Sequence, residues 1–324
     1  MTWTLFVAFL TRAIKAATVF IFGSTGETIT EKSGHLNMGT PGIMCMGALG
    51  GILGLRIYFD IIKTAELNGF LVILIPIVFS MIFAAIGGLI FAFFTVTLKC
   101  NHNVTGLTLT TFGVGLSCYF IGLIKTTRIN DAGLAIQSLF DVKWADTDFF
   151  GNVLLSHSFF TYLAIIIAVL AAIFLSRTKI GLNLRACGEN PAAADAAGIN
   201  VDRYRYIATI IGAAISGLGG MAYELDVLKG YFNAKDGVDA FGWLALSLVI
   251  FSMWKPSICI GASFVFGALQ QIRFYLPLSS AQQQMFMLLP YVFTIIVLIL
   301  TSVFNKKNTQ PPAALGVTYF REDR

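Results

Sequence analysis

Charge is what this chain has least of. Only 12% of its 324 residues are Asp, Glu, Lys or Arg, where soluble domains carry about 25%. With a mean hydropathy of +0.78, this excludes an ordinary soluble fold, and no soluble stretch is long enough to stand alone. Cysteine is scarce as well. The five thiols, Cys45, Cys100, Cys118, Cys187 and Cys259, form no CxxC pair, so they read as small apolar packing residues and not as a disulfide frame or metal site. Histidine is limited to His35, His102 and His157, with no HExxH or nucleophile–base pattern. Cys100 with His102 offers two ligands, short of what a metal site needs. There is no GxxxxGK[ST], hence no loop to cradle phosphates by that route. No enzyme active site is legible, and no cofactor is implied.

What the chain does have is apolar runs near the roughly 20 residues that a helix needs to cross the hydrocarbon core. The formal charge of +5 fits loops on the inner membrane face better than nucleic acid. Met1–Phe22 is apolar but carries Arg12 and Lys15 on one helix face. It lacks a clean cleavage site and is expected to stay as a first span or an interfacial helix. Gly23–Gly42 is polar and glycine-rich, a plain loop or a broken-helix region lining a path. Glu27, Asn37 and Thr40 are its candidate polar contacts.

Further spans are expected over Ile43–Ile57, Phe70–Val96, Val104–Ile124, Phe159–Leu175, Ile207–Tyr223, Phe241–Met253, Ile258–Tyr275 and Met285–Phe304. Gly47, Gly50, Gly51 and Gly54 would let the second approach its neighbours closely. Thr105, Thr108 and Thr111 recur at helical spacing; they bond back to their own helix or face a polar cavity. Residues 125–157, with Asp131, Asp141, Asp146 and Asp148, read as an external loop.

Arg177–Tyr206 is basic, mostly polar, and flanked by spans. Within it a short helix has its ends written in. Asn190 can cap the first turn, Pro191 suits the first helical position, alanines fill the body, and Gly198 supplies a left-handed stop. Glu189 and Asp195 are expected near the helix start, where the macrodipole favours negative charge. A helix this short needs outside support. It could seat in a groove of a partner, or merely join two spans.

Placing this loop inside makes the later crossings alternate correctly and puts Lys99, Lys306 and Lys307 inside as well. About nine crossings then put Met1 outside, whereas Arg12 and Lys15 argue for inside. Either the first region does not cross, or one span hides a break. Glu27 and Glu224 lie closest to the apolar runs. At span ends they read as hydrated carboxylates; within the membrane they would be functional by default.

Four segments carry a resemblance: GETITEKSGHLNMGTPGIMCMGALGG (Gly26–Gly51), GLNLRACGENPAAADAAGINVDRYR (Gly181–Arg205), FNAKDGVDAFGWLALSLVIFSMWKPS (Phe232–Ser257) and PPAALGVTYFRED (Pro311–Asp323). Together they resemble the permease subunits of bacterial ABC importers of the ribose, simple-sugar and nucleoside branch. The tail is most similar to the subgroup paired with basic-membrane-protein-type lipoproteins. The resemblance implies an all-α polytopic membrane protein with a BtuC-like type II importer fold of about eight to ten helices. It implies a transmembrane unit over residues 1–304, a cytoplasmic coupling loop over 177–206 and a cytoplasmic tail over 305–324, in a bacterial inner or plasma membrane. Implied partners are a cytoplasmic ABC ATPase, a second homologous permease, a substrate-binding lipoprotein and membrane lipid. Carried over by position, Glu189, Asn190, Pro191, Ala192, Ala193, Asp195 and Gly198 fall in the ATPase-coupling segment. Glu27, Asn37, Gly39, Thr40 and Gly42 fall near the translocation path, to which Thr108 and Glu224 are added as candidates. Pro41 stands where many relatives have an acidic residue, and is expected to bend the start of the second span. The alternative is a stand-alone transporter driven by an ion gradient, with Glu224 essential.

Overall fold

The computed structural model describes residues 3–62, 68–124, 133, 134, 136, 151, 153, 157–232, 237–304 and 310–320. The four aspartates of the expected external loop, together with Lys306 and Lys307, lie outside the described residues. Within them the chain is helical: α1 (Trp3–Lys32), α2 (Thr40–Ile62), α3 (Gly69–Ala92), α4 (His102–Gly122), α5 (Phe159–Arg177), α6 (Lys179–Glu189), α7 (Pro191–Ala196), α8 (Val201–Ala222), α9 (Asp239–Phe251), α10 (Pro256–Gln271), α11 (Ser280–Phe286) and α12 (Leu289–Phe304). Short π-helical turns, Phe93–Thr97 and Tyr223–Val227, extend α3 and α8.

Among the described residues, eight stretches are long and apolar enough to cross a membrane, and α9 is a shorter apolar helix. In lipid, helix association gains little from apolar burial as such, so packing relies on close backbone approach at small residues. That is what the glycines do. Gly47 of α2 meets Gly217 of α8, Gly26 of α1 meets Gly212, and Gly42 meets Gly113 of α4, each so closely that a side chain would collide with backbone. Helices α1, α2 and α8 form the centre; α3 packs on α2 and α8, α4 on α2, α5 on α1, and α10 on α1.

Tertiary contacts sort the helix ends onto two sides. On one side, the α1–α2 turn and the end of α6 both bond to the C-terminal segment: Ala314 N donates to Gly188 O (2.9 Å) and Gly316 N to Gly34 O (3.0 Å). Lys99, after α3, pairs there with Asp202 at 3.4 Å. On the opposite side, Phe9 meets the Tyr275 ring edge-on at 5.5 Å, and Lys15 pairs with Asp226 at 3.4 Å. The start of α1 therefore lies at the end of the bundle opposite α6, α7 and the C-terminal segment. Lys15, half-buried, and Arg12, exposed, each have a partner at that end. Lys15 is matched by Asp226, which also accepts from Ser158 Oγ at 2.6 Å. Arg12 lies over the Tyr275 ring, 5.8 Å from its centre.

Three local expectations are corrected. Residues 23–32 are not loop: α1 runs through them, and only Ser33–Gly39 break the helix. Pro41 does not bend α2, because it sits in the first turn, where its missing N–H costs nothing. The basic segment is not one loop with one helix. It holds α6 and α7, and α8 already begins at Val201.

Candidate coupling surface and polar junction

The short helix forms between the residues that the sequence marked. Asn190 is extended (φ −150°, ψ 91°), and its side chain accepts from Ala193 N at 3.0 Å, with Pro191 opening the helix. At the other end Gly198 takes φ +84°. Gly198 N donates to Asp195 O (2.9 Å) and Ile199 N to Ala194 O (3.0 Å), the paired bonds of a Schellman stop. No atom stands within 4 Å of where a Gly198 side chain would begin, so the glycine is needed for its backbone angle and not for space. Ala194 is the buried contact, packed with Cys187, Val201 and Tyr319. Burial pushes the Cys187 thiol up to about 11, so it is a packing group there. Ala193 and Ala196 remain exposed, a small, smooth outer face.

Asp195 is corrected: it lies in the last turn, not the first, and accepts from Tyr319 OH at 3.0 Å. Glu189 accepts from Ala313 N at 3.3 Å. Arg205 of α8 donates to Val317 O at 3.2 Å. The C-terminal segment Gln310–Phe320 is thus no loose tail. It straps together the α1–α2 turn, the end of α6, α7 and the start of α8. Sequence reasoning missed this, and also missed α6, whose signal was the cap at Thr178: its hydroxyl accepts from Gly181 N at 3.0 Å.

Directly above the strap lies a sealed polar junction. The α1–α2 turn uses Gly34 at φ +91°. His35, fully buried, shares a hydrogen bond of 3.0 Å with Thr209 of α8. Its burial among His102, Arg205 and Lys99 holds its pKa well below the usual histidine range. Beyond it, Glu27 accepts from Asn37 N (3.2 Å), Asn37 Nδ2 (3.5 Å) and Thr40 Oγ1 (2.5 Å). Gly39 N in turn donates to Asn37 Oδ1 at 3.0 Å. One turn along α1, Glu31 accepts from Trp254 Nε1. Neither carboxylate is hydrated: Glu27 is 1% exposed and Glu31 2%. Glu224 is fully buried in the π-helical turn after α8. The hydrated reading of Glu27 and Glu224 is therefore overturned: Glu27 near the end of α1 and Glu224 just past the end of α8 are both buried within the bundle.

The structure brings Glu27, Asn37, Gly39 and Thr40 together, with Gly42 against the backbone of Leu109 and Thr110. It separates them from Thr108 and Glu224. Thr108 bonds back to Val104 O at 2.8 Å and Thr111 to Leu107 O at 3.1 Å, and both are exposed on α4. With Gly115, Cys118 and Gly122 they make an exposed stripe of small residues at heptad spacing. The exposed positions of α3, by contrast, are Phe70, Leu74, Val78, Met81, Ile82, Ile86 and Leu89, the character of a lipid face.

Residues 9–298 match the family described as branched-chain amino acid transport system / permease component. The chain belongs to this family. Among curated relatives the permease is 30% identical to the nucleoside ABC transporter permease protein NupC of Lactococcus lactis, over 94% of each chain. It is 29% identical to the guanosine ABC transporter permease protein NupQ of Bacillus subtilis, over 95% of each. It is also 29% identical to a putative glucose ABC transporter permease protein, TsgC13 of Haloferax volcanii, over 82% of this chain and 76% of that one. Among solved structures its fold matches PsaBC from Streptococcus pneumoniae in complex with Fab, with a TM-score of 0.51 at 14% identity, over 92% of this chain and 95% of that one. The helical membrane fold expected from the resemblance is the one found. The chain is the multi-pass permease subunit of an ABC importer.

Proposed function

We propose that this permease carries a nucleoside across a bacterial cell membrane in a complex with a second permease, a cytoplasmic ATPase and an external substrate-binding lipoprotein. The observation that carries the substrate class is likeness along nearly the whole chain to nucleoside and guanosine permeases; the likeness to the sugar permease covers less of both chains. The side holding α6, α7 and the strap is the cytoplasmic one. Lys99, Arg177, Lys179, Arg185 and Arg203 gather there, which fits the positive-inside rule. Residues 1–304 act as one transmembrane unit, and residues 305–324 as a cytoplasmic segment docked on it.

In this reading Glu189, Asn190, Pro191, Ala192, Ala193, Asp195 and Gly198 present α7 to the ATPase. Displacement of α7 reaches the bundle through the strap and the His35–Thr209 bond, at the helix break between α1 and α2. Glu27, Asn37, Gly39, Thr40 and Gly42 hold the shape of that break and do not touch the cargo. The cargo path runs along the exposed stripe of α4 that includes Thr108, between this chain and the second permease. Buried Glu224 anchors the outer end of α8.

Reconstituted transporter in liposomes, loaded with ATP and given labelled guanosine, tests this. Uptake that needs ATP and disappears with Ala193→Asp supports it. Ala193 is exposed in the first turn of α7, where Asp is favourable, so the variant should fold and keep the wild-type melting temperature. Guanosine uptake by the chain alone, driven by an ion gradient and abolished by Glu224→Gln, would establish the stand-alone transporter instead.

A further inference from the structure

Helices α5 and α8 both pack on α1, yet among the described residues they share at most a marginal contact with one another. The cleft between them encloses about 680 Å³. Its lining is graded along the membrane normal. Ile167, Ile211 and Ile215 line the deep end, Ile29 of α1 forms the floor, and Asn183 and Arg203 stand at the shallow end. From Ile215 to Arg203 the wall follows twelve residues of α8, about 18 Å at the rise of an α-helix. That is close to one leaflet, roughly half of a hydrocarbon core of about 30 Å.

The walls open outward. Leu170 is 57% exposed and Ile211 47%, so the cleft faces the surroundings of the bundle and not its interior. At the shallow end, Asn183 Nδ2 donates to Tyr204 OH at 3.0 Å. The Arg203 guanidinium has no ion pair among the described residues; only its backbone N–H is used, in capping by Asn200. An apolar slot one leaflet deep, topped by one cation without an ion pair among the described residues, is complementary to an anionic amphiphile.

We infer that this cleft seats one acyl chain of an anionic phospholipid whose phosphate is held by Arg203. The lipid touches more than the bundle. Ile180 and Leu184 of α6 close the shallow end, so the bound chain packs against the helix that precedes α7. Arginine suits the role because its planar fork binds phosphate oxygens in pairs. The inference needs the chain to lie in a membrane, but it needs neither the nucleoside assignment nor the ATPase.

Native mass spectrometry of the purified transporter, titrated with phosphatidylglycerol or with phosphatidylcholine of matched chains, tests it without any transport measurement. One phosphatidylglycerol per chain should bind about tenfold more tightly than phosphatidylcholine, whose tethered choline cation offsets the attraction of its phosphate to Arg203. Arg203→Gln should erase that preference, weakening phosphatidylglycerol the more of the two. Ile211→Trp, which fills the slot, should weaken both lipids; Ile207→Trp serves if the first lowers the melting temperature. Equal binding of the two lipids by the unaltered protein, or an unchanged preference in Arg203→Gln, would overturn the inference. So would an Ile211→Cys variant that cross-links to a second permease and not to a photoactivatable phospholipid.

Discussion

The two ends of α1, outer and inner on the topology proposed above, treat buried charge in opposite ways. At the outer end Lys15 and Asp226 meet as an ion pair, with Ser158 completing the carboxylate's shell. At the inner end Glu27 and Glu31 are buried with neutral donors: a backbone N–H, an amide, a hydroxyl and an indole. An ion pair fixes two helices by charge and loses most of its value when either member goes. A carboxylate ringed by dipoles tolerates replacement by a neutral side chain of the same shape, because the donors still find an oxygen. The outer end is a fastener. The inner end is a shaped turn.

The sharpest break of that comparison is at Lys15. Lys15→Met removes the cation that pairs with buried Asp226, and should cost about 3–5 kcal/mol. A melting temperature read by size exclusion in detergent should fall steeply, and K15M/D226L should recover most of the loss. Next comes Glu27. Glu27→Ala strands the donors of Asn37 and Thr40, at about 1–3 kcal/mol for a buried donor left unpaired, whereas Glu27→Gln should stay within about 1 kcal/mol of wild type. If the glutamine variant melts as low as the alanine one, the inner end is a charge device after all.

Acid probes the same turn more gently. His35 has its folded pKa held below the unfolded value of 6.5, so the folded state binds fewer protons. Its contribution is intact above pH 6.5 and is lost as pH falls below it. One unit lower, the loss is about 1.4 kcal/mol. His35→Asn should flatten this part of the melting curve against pH. The smallest effect belongs to Tyr319→Phe, which removes one partly buried hydrogen bond to Asp195, about 1 kcal/mol. Uptake should fall more than stability if the strap transmits motion from α7, and chemical denaturation alongside transport separates the two.

The sequence disclosed local features well and non-local ones poorly. The spans follow from hydropathy, because a helix in lipid must satisfy its backbone internally. The α7 caps follow from Asn190, Pro191 and Gly198, since capping needs only residues a few positions apart. The sequence leaves loop or broken helix open at the inner end of α1, because Gly23, Gly26 and the threonines lower helix propensity. Gly26 admits Gly212 and Ser216 of α8, and Gly23 admits Ala245 of α9, which no local pattern reveals. The same holds for Glu27, whose partners come from the far side of the turn, and for the strap, which has no periodicity and takes its shape from four other elements. Lys15 misled the topology reading because its partner lies in a different span.

That last pairing has a consequence for biosynthesis. When α1 first leaves the ribosome, Arg12 and Lys15 are exposed bases, and Asp226 and Tyr275 have not yet been made. On the topology proposed above, the nascent segment therefore carries the charge signature of the reverse orientation. The end of α8 arrives only later to pair with Lys15. A nascent chain stopped before Asp226 should present its amino terminus on the wrong face of the membrane.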